Sequence, residues 1–584
     1  MSAQKYDLDT MRHSCAHLMA QAITRVFPNE HIEFGVGPVI DTGFYYDVEM
    51  DHRLTEEDLQ NIENAMKDLI KENLSIERKV MPKDEAINFF KEQEQKLKVE
   101  LIGGFPAGEE ISCYTQGEFI DLCRGPHVGS TGDLKVHFKL LNVAGAYWKG
   151  DSSRQMLQRV YAACFSDKKQ LKQHLNFLEE AKKRDHRKLG KELGFFIFDQ
   201  VSPGSPFFMP KGAVVYNQLV DYMRRIYNLY QYDEVITPQI LDSSLWKTSG
   251  HYEHYHENMY FSQIDEREYA VKPMNCPCHM LMFSHHKYSY RDLPLRFADF
   301  GRLHRYEKAG AIAGLTRVRT FCQDDAHVFL SLDQVQEEIT VLMDMFFTTY
   351  EHFGFNNIKV NLSTRPEKKS GDDATWDKAE DALKKALEAS GHEYHIKEGD
   401  GAFYGPKIDV EISDALHRYW QLGTIQLDFQ LPERFQLNFI NSDNDKETPV
   451  VIHRALLGSL ERFMGIYIEH TGGVFPFWLA PTQATIVPIS SENHGEFAQK
   501  LAEELRRSGL RVDVDDRNES IGYKTRQIQK SKIPFMLVIG DREVEANGVS
   551  ARRYGEKHSR NLSTEELKEE FQNLMLEAMP KKYR

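Results

Sequence analysis

Apolar residues recur along this chain with two periods, and the changes from one to the other mark its elements. From Asp9 onward the period is helical, with Met11, Leu18 and Ile23 on apolar faces. Phe34 to Asp47 (FGVGPVIDTGFYYD) reads as strand, turn and strand. Thr55-Glu-Glu-Asp58 resembles a capping box and opens a helix that turns Leu59, Ile62, Met66 and Leu69 inward. Residues 166 to 190 predict a charged helix with Leu171, Leu175 and Leu178 in line, ending at Gly190 after the basic run Lys182 to Lys188. That run could touch phosphates, but it reads better as a solvated face. Further on, a long helix is expected from Ala213 to Asn228, a strand from Glu234 to Pro238, and a hairpin of Phe297 to His304 with Val318 to Phe321. The last hundred or so residues alternate strand and helix: Ala484 to Val487, Glu496 to Ser508, Arg511 to Val514, then Phe535 to Ile539.

Length adds that 584 residues exceed one core, so three or four domains are expected. The formal charge of −15, from 73 basic and 88 acidic residues, argues against a general nucleic-acid binder, so any RNA contact must use local basic patches. Seven scattered cysteines make no disulfide framework and fit a reducing compartment. The opening MSAQKYDLDT lacks the apolar core of a signal peptide, and no run of about 18 apolar residues predicts a membrane span. A cytoplasmic enzyme is the expectation. There is no internal repeat, and the absence of Gly-x-Gly-x-x-Gly and of a Walker lysine disfavours Rossmann and P-loop nucleotide sites.

The densest chemistry lies between Arg302 and His327 (RLHRYEKAGAIAGLTRVRTFCQDDAH). Arg305 and Arg317 offer planar, permanently charged forks suited to phosphate oxygens. Glu307, two residues beyond Arg305, would face the same side of a strand and could accept from an exocyclic amine. Taken alone, this stretch fits a phosphate-substrate site and an ion-paired surface hairpin about equally. Two further segments shift the balance, Lys272 to His279 (KPMNCPCH) and His453 to Arg462 (HRALLGSLER). Near the amino terminus His13 and His17 are four apart, as are Cys123 and His127, and spacing alone would suggest a four-ligand zinc site.

Together these segments resemble the class II aminoacyl-tRNA synthetases, and within them the threonyl-tRNA synthetase family. Motif 1 of that class corresponds to Ala213 to Asn228 with Glu234 to Pro238, motif 2 to the Arg305 hairpin, and motif 3 to Gly458 to Arg462. The resemblance covers essentially the whole chain. It implies an α+β multidomain protein: an α+β editing domain (1–165), a linker helix (166–183), a class II catalytic core on an antiparallel sheet (184–477) and an α/β anticodon-binding domain (478–584). Many family members begin with an additional small domain, whereas this sequence starts at the editing-like unit.

The resemblance also assigns roles. Cys276, His327 and His453 match the zinc ligands of the family, a set that spacing could not predict. Cys278 stands where the family usually has glycine and is either a rival thiolate or, the preferred reading, a small buried residue. Asp325 would hold the amine or hydroxyl of L-threonine, with Met274, Gln323, Tyr404 and Gln426 shaping the pocket. Arg305 would bridge the α-phosphate of ATP and the amino-acid carboxylate, Glu307 would read adenine, and Arg317 and Arg462 would hold the γ-phosphate end with Mg²⁺. Lys407 and Gln421 are further candidates, and His251 would assist transfer to tRNA(Thr). Asn518, Lys524, Glu543 and Arg552 are candidate anticodon contacts. Motif 1 lies at a two-fold interface in this class, which implies a homodimer.

The threonyl branch is expected to edit without metal. His13 and His17 would then position ester and water, Cys123 and His127 would line the pocket, and Tyr45, Lys98 and Asp121 would complete it. Editing is needed because serine keeps the hydroxyl and lacks only a methyl group, worth about 1–3 kcal/mol or roughly 10–200-fold. Valine lacks the hydroxyl and would be rejected at a chelating metal. The rival readings are a prolyl or alanyl enzyme, an inactive RNA-binding paralogue, and a freestanding editing protein. The zinc set with the carboxy-terminal unit opposes the first, the intact arginines the second, and the presence of a catalytic unit the third.

Overall fold

The computed structural model describes residues 6–106, 108–151 and 153–584, which form two compact units, one ending at Glu179 and the other beginning at Glu180. In the first, helix Leu8–Val26 starts where the Asp7 carboxylate accepts from the backbone N–H of Thr10 at 2.7 Å. It buries Met11, Leu18 and Ile23, each worth about 1.5–3 kcal/mol on full burial. The Thr55–Asp58 capping box is formed, and helix Glu56–Glu72 buries Leu59, Ile62, Met66 and Leu69. Both helices pack into one core with an antiparallel sheet in which Gly43–Glu49 pairs with Met156–Phe165, and that strand with His137–Tyr147. A smaller sheet orders Ile76–Met81, Ile111–Gln116 and Phe119–Leu122.

Helix Lys168–Arg184 buries no residue, as its charge pattern requires. Asp185 caps a second helix, His186–Glu192, whose first residue points into the protein, so the basic run is not solvated throughout.

Among the described residues, the second unit centres on a nine-stranded sheet. Leu295–Asp299, Thr320–Leu330, Val450–Ser459, Tyr419–Asp428, Lys407–Ser413 and Ile358–Ser363 follow one another, all antiparallel, with parallel strands at the two edges. Helices Pro210–Leu229, Val335–His352, Asp373–Ser390 and Leu460–Thr471 bury their apolar faces in the same core. Toward the carboxy terminus a second sheet orders Val512–Val514, Ala484–Pro488, Phe535–Ile539, Gly548–Arg553 and Arg560–Ser563, the first three parallel. No helix among the described residues is long and apolar enough to cross a membrane.

Three strands differ from expectation. The one anticipated at Val318 to Phe321 runs from Thr320 to Leu330, so Asp324, Asp325 and His327 lie on it. Its partner breaks into Leu295–Asp299 and Arg302–His304. At the break Gly301 passes Asn275 so closely that a Cβ would sit 2.2 Å from its side-chain oxygen. The Glu234 to Pro238 strand shortens to Asp233–Glu234 at the sheet edge, ahead of a proline that has no N–H to pair.

Candidate functional site

Strand register assembles the site. His327 stands opposite His453, His453 opposite Gln426, and Gln426 opposite Lys407, which makes one row across four strands. Two residues along, Asp325, Ala455, Thr424 and Asp409 form the next row. Cross-strand partners share a face, so a slip of one residue would turn the whole set to the other side.

All of these but His327 and Asp409, which lie buried beneath, floor a cavity of about 330 Å³. Met274, Cys276 and Arg305 line it from outside the rows, together with Gln323, Tyr404 and Gln421. Asn275 donates to Asp325 at 3.0 Å, and the Tyr404 hydroxyl donates to Gln426 at 2.8 Å. Burial raises the pKa of the Asp325 carboxyl.

Cys276, His327 and His453 converge, with one sulfur and two nitrogens all within 4.8 Å of one another. The His327 and His453 nitrogens that face each other are 3.0 Å apart, Nε2 to Nδ1. Their other nitrogens are engaged: His327 Nδ1 with His279 at 2.7 Å, His453 Nε2 with Asp428 at 2.8 Å. Such outer partners orient metal-binding imidazoles. Burial holds the His327 imidazole neutral, as a ligand must be, and pushes the Cys276 thiol up, which a bound cation would reverse. One sulfur and two imidazoles suit zinc with a place left open. Cys278 is buried outside this cluster, beside Lys272 and Thr237.

Toward the arginines, Arg305 donates to the Pro273 carbonyl at 3.2 Å and lies 5.0 Å from the centre of the Phe321 ring. Arg305 and Glu307 stand beyond the end of the strand, so alternation does not align them as the sequence suggested. Glu307 instead pairs with Arg317 at 3.0 Å. Arg462 sits in the first turn of helix Leu460–Thr471, where its N–H is capped by Ser459, and it donates to the carbonyls of Gln421 and Thr316. Asp409 holds Lys407 at 2.8 Å and Gln421 at 2.6 Å. Behind the cavity His251 is buried against Ser249 and Met274, and burial lowers its pKa to about 3.

The first unit carries a second cluster. Cys123 Sγ is 3.2 Å from both His13 Nε2 and His127 Nε2, and His17 completes a group within 4.8 Å. Burial is the main cause that depresses all three imidazoles, His127 to about 2, and raises the Cys123 thiol to about 11. Beside them Lys98 pairs with Asp121 at 2.6 Å. The tyrosine that joins them is Tyr46, whose hydroxyl bonds Asp121 and accepts from Lys98. Tyr45 does not, because successive strand residues point to opposite faces and its ring stacks under Arg159.

In the carboxy-terminal sheet region Asn518 is exposed, while Glu543 accepts from the Gly540 N–H at 2.9 Å and Arg552 lies against Met536. Lys524 is corrected: it is 2% exposed and spends its ammonium on the Asp515 carbonyl at 2.8 Å, so it cannot present a charge to RNA.

Sequence reasoning missed Asn275, His279, Asp409 and Asp428. Asp428 had a signal, since it lies two residues from Gln426 on the same strand. Asp409 had the same signal, two residues from Lys407 on its strand, whereas Asn275 and His279 gain their roles only from tertiary contacts.

Comparisons with known proteins agree with this layout. Residues 259–471 match the tRNA synthetase class II core domain (G, H, P, S and T), residues 483–574 the anticodon binding domain, and residues 111–161 the threonyl and alanyl tRNA synthetase second additional domain. Threonine–tRNA ligase 2 of Bacillus subtilis is 51% identical over 97% of this chain and 88% of its own. The threonine–tRNA ligase of Thermotoga maritima gives the same figures. A crystal structure of the RNA binding domain of threonyl-tRNA synthetase from Cryptosporidium parvum superposes with a TM-score of 0.66 at 46% identity, over 67% of this chain and 98% of that one. Prolyl-tRNA synthetase from the same organism, at 18% identity and a TM-score of 0.51, shares the fold alone. With about half its residues identical to those ligases along nearly its full length, and with class II core, second additional and anticodon domains in one chain, the protein belongs to the threonyl-tRNA synthetase family.

Proposed function

We propose that this protein joins L-threonine to tRNA(Thr) through a threonyl-adenylate made from ATP, and hydrolyses seryl-tRNA(Thr) formed in error. The observation that carries this reading is the convergence of Cys276, His327 and His453 beside a cavity that also holds Arg305, Gln323 and Asp325. Zinc held by those three residues would supply a Lewis-acidic point at which an amine and a β-hydroxyl chelate together. Asp325 and Gln426 then orient the amino acid, and Arg305 draws its carboxylate toward the α-phosphate of ATP, which brings Mg²⁺ with it. Arg317 and Arg462 hold the far phosphates. The carboxylate oxygen bonds to the α-phosphorus, the bond to the β-phosphate oxygen breaks, and pyrophosphate leaves. Positioning and fixed positive charge lower that barrier, with no protein nucleophile. The terminal ribose hydroxyl of the tRNA next attacks the acyl carbon, the bond from that carbon to the phosphate oxygen breaks, and AMP departs with the hydroxyl proton on its phosphate. His251, behind the amino-acid pocket, would assist by holding Met274 in place.

In the first unit, His13 and His17 would position ester and water, with Cys123, His127, Lys98, Asp121 and Tyr46 around them. Its three imidazoles, held neutral by burial, can accept a proton from water, which is consistent with the metal-free reading that the family resemblance implies. Anticodon contact falls to the region of Asn518, Glu543 and Arg552. A homodimer is supported by exposed apolar side chains at Ile197, Phe207, Ile236 (90% exposed) and Ile240 around the motif 1 helix. Seven unpaired cysteines support a reducing, cytoplasmic setting.

Charging of tRNA(Thr) with labelled threonine tests the reading, alongside release of serine from pre-charged seryl-tRNA(Thr). Both activities are expected in one preparation. Failure to form threonyl-tRNA, or equal charging with valine, would refute the assignment.

A further inference from the structure

His186 belongs to the basic run that the sequence gives to solvent, yet it is 4% exposed. It wedges between the loop of the Arg305 hairpin and helix Leu460–Thr471. Its backbone N–H and its Nδ1 both reach one oxygen of Glu469, at 3.0 and 2.6 Å. The N–H of Leu315 donates to its Nε2 at 2.9 Å. An acceptor at Nε2 fixes the proton on Nδ1, so the imidazole is neutral with both nitrogens occupied. Although Asp185, His186 and Glu469 cluster closely enough to hold a cation, no imidazole lone pair is left for one.

The loop fits against this ring closely. Gly314, at φ +55°, passes so near that a Cβ would lie 2.2 Å from Nε2. The Thr316 carbonyl accepts from Arg462 at 2.9 Å, and the Arg317 carbonyl accepts from Ala313 at 3.1 Å. The other Glu469 oxygen bonds Arg418, which pairs with Asp414; Asp414 accepts from Trp420, and the Arg462 guanidinium lies 5.6 Å from the centre of that indole. The loop base is thus tied to the helix bearing Arg462 both directly and through His186.

We propose that His186 is a positioning residue for the ATP step, seating the 313–317 turn so that Arg317 and Arg462 keep the spacing a nucleoside triphosphate requires. This rests on the assignment of those arginines to ATP given above. His186→Asn keeps an amide near Nδ1 for Glu469 but cannot reach Leu315, whereas His186→Gln can reach it.

Pyrophosphate exchange should show the Michaelis constant for ATP rising roughly three- to tenfold in H186N, the worth of one hydrogen bond, and less than twofold in H186Q. That for threonine should stay unchanged in both. Hydrogen exchange of the full chain should show amides 313–317 opening faster in H186N alone, a readout independent of any activity. Identical behaviour of the two variants, an unchanged ATP constant in H186N, or a threonine constant that moves in step would overturn the inference. An inactive parent enzyme with the loop still protected by His186 would instead count against the ATP assignment.

Discussion

Nδ1 of His279 lies 2.7 Å from Nδ1 of His327. Only one of the two can carry the shared proton. The Nε2 of His279 faces the Asp299 carboxylate at 3.8 Å, which favours a proton there and leaves His279 Nδ1 as the acceptor. His327 then donates through Nδ1 and keeps Nε2, the atom beside His453, free to ligate. His279→Ala, with all three ligands intact, is predicted to weaken zinc retention by about 10–100-fold. Competition with a chromophoric chelator measures this, and an unchanged affinity would remove His279 from the metal's support.

The identity of the tyrosine in the first unit is testable by a pair of variants. Tyr46→Phe removes a hydroxyl bonded to Asp121 and Lys98, and leaves a buried ion pair missing one partner. Seryl-tRNA deacylation should fall by about tenfold or more, given about 1–3 kcal/mol for an unsatisfied buried group. Tyr45→Phe should leave deacylation within twofold. The reverse order would return Tyr45 to the site.

The same unit should lose stability in acid over a defined window. His13, His17 and His127 have depressed pKa values when folded, while an unfolded imidazole titrates near 6.5. Below that pH the unfolded chain therefore binds more protons, so their contribution is complete above about 6.5 and is lost as pH falls toward the folded values. The partnered carboxylate Glu63 titrates below its ordinary 4.5 and does not act in the upper part of that window. Hydrogen exchange along helix Leu8–Val26 is predicted to accelerate between pH 6.5 and 5 and to stay level between 7 and 8 once corrected for intrinsic rates. Protection that holds or grows on acidification would contradict the burial of neutral imidazoles.

What could be read without coordinates was local. The Thr55–Asp58 cap and the shared face of His13 and His17 depend on residues within one or two turns of each other. The site itself depends on register: His327 and His453 meet because strands 126 residues apart align at that rung, with a bulge between Gln323 and Asp325 resetting the strand. Periodicity carries no information on such alignment, so the ligand set had to come from family likeness. That Tyr46 rather than the expected Tyr45 reaches Lys98 depends on which strand face meets the cluster, and the inward turn of Lys524 on a carbonyl supplied from outside its own helix. His186 was hidden by its neighbours, since three lysines and two arginines in the run around it disguise one buried ring.

The most direct test of the central claim is threonine-dependent ATP–pyrophosphate exchange by chelator-stripped protein, titrated with zinc. Exchange should be lost on stripping and return in proportion to added zinc, saturating at one ion per chain, with valine inactive throughout. Full threonine-dependent exchange in zinc-free protein, or restoration in a Cys276→Ala variant equal to that of the parent, would contradict an amino-acid site built on Cys276, His327 and His453.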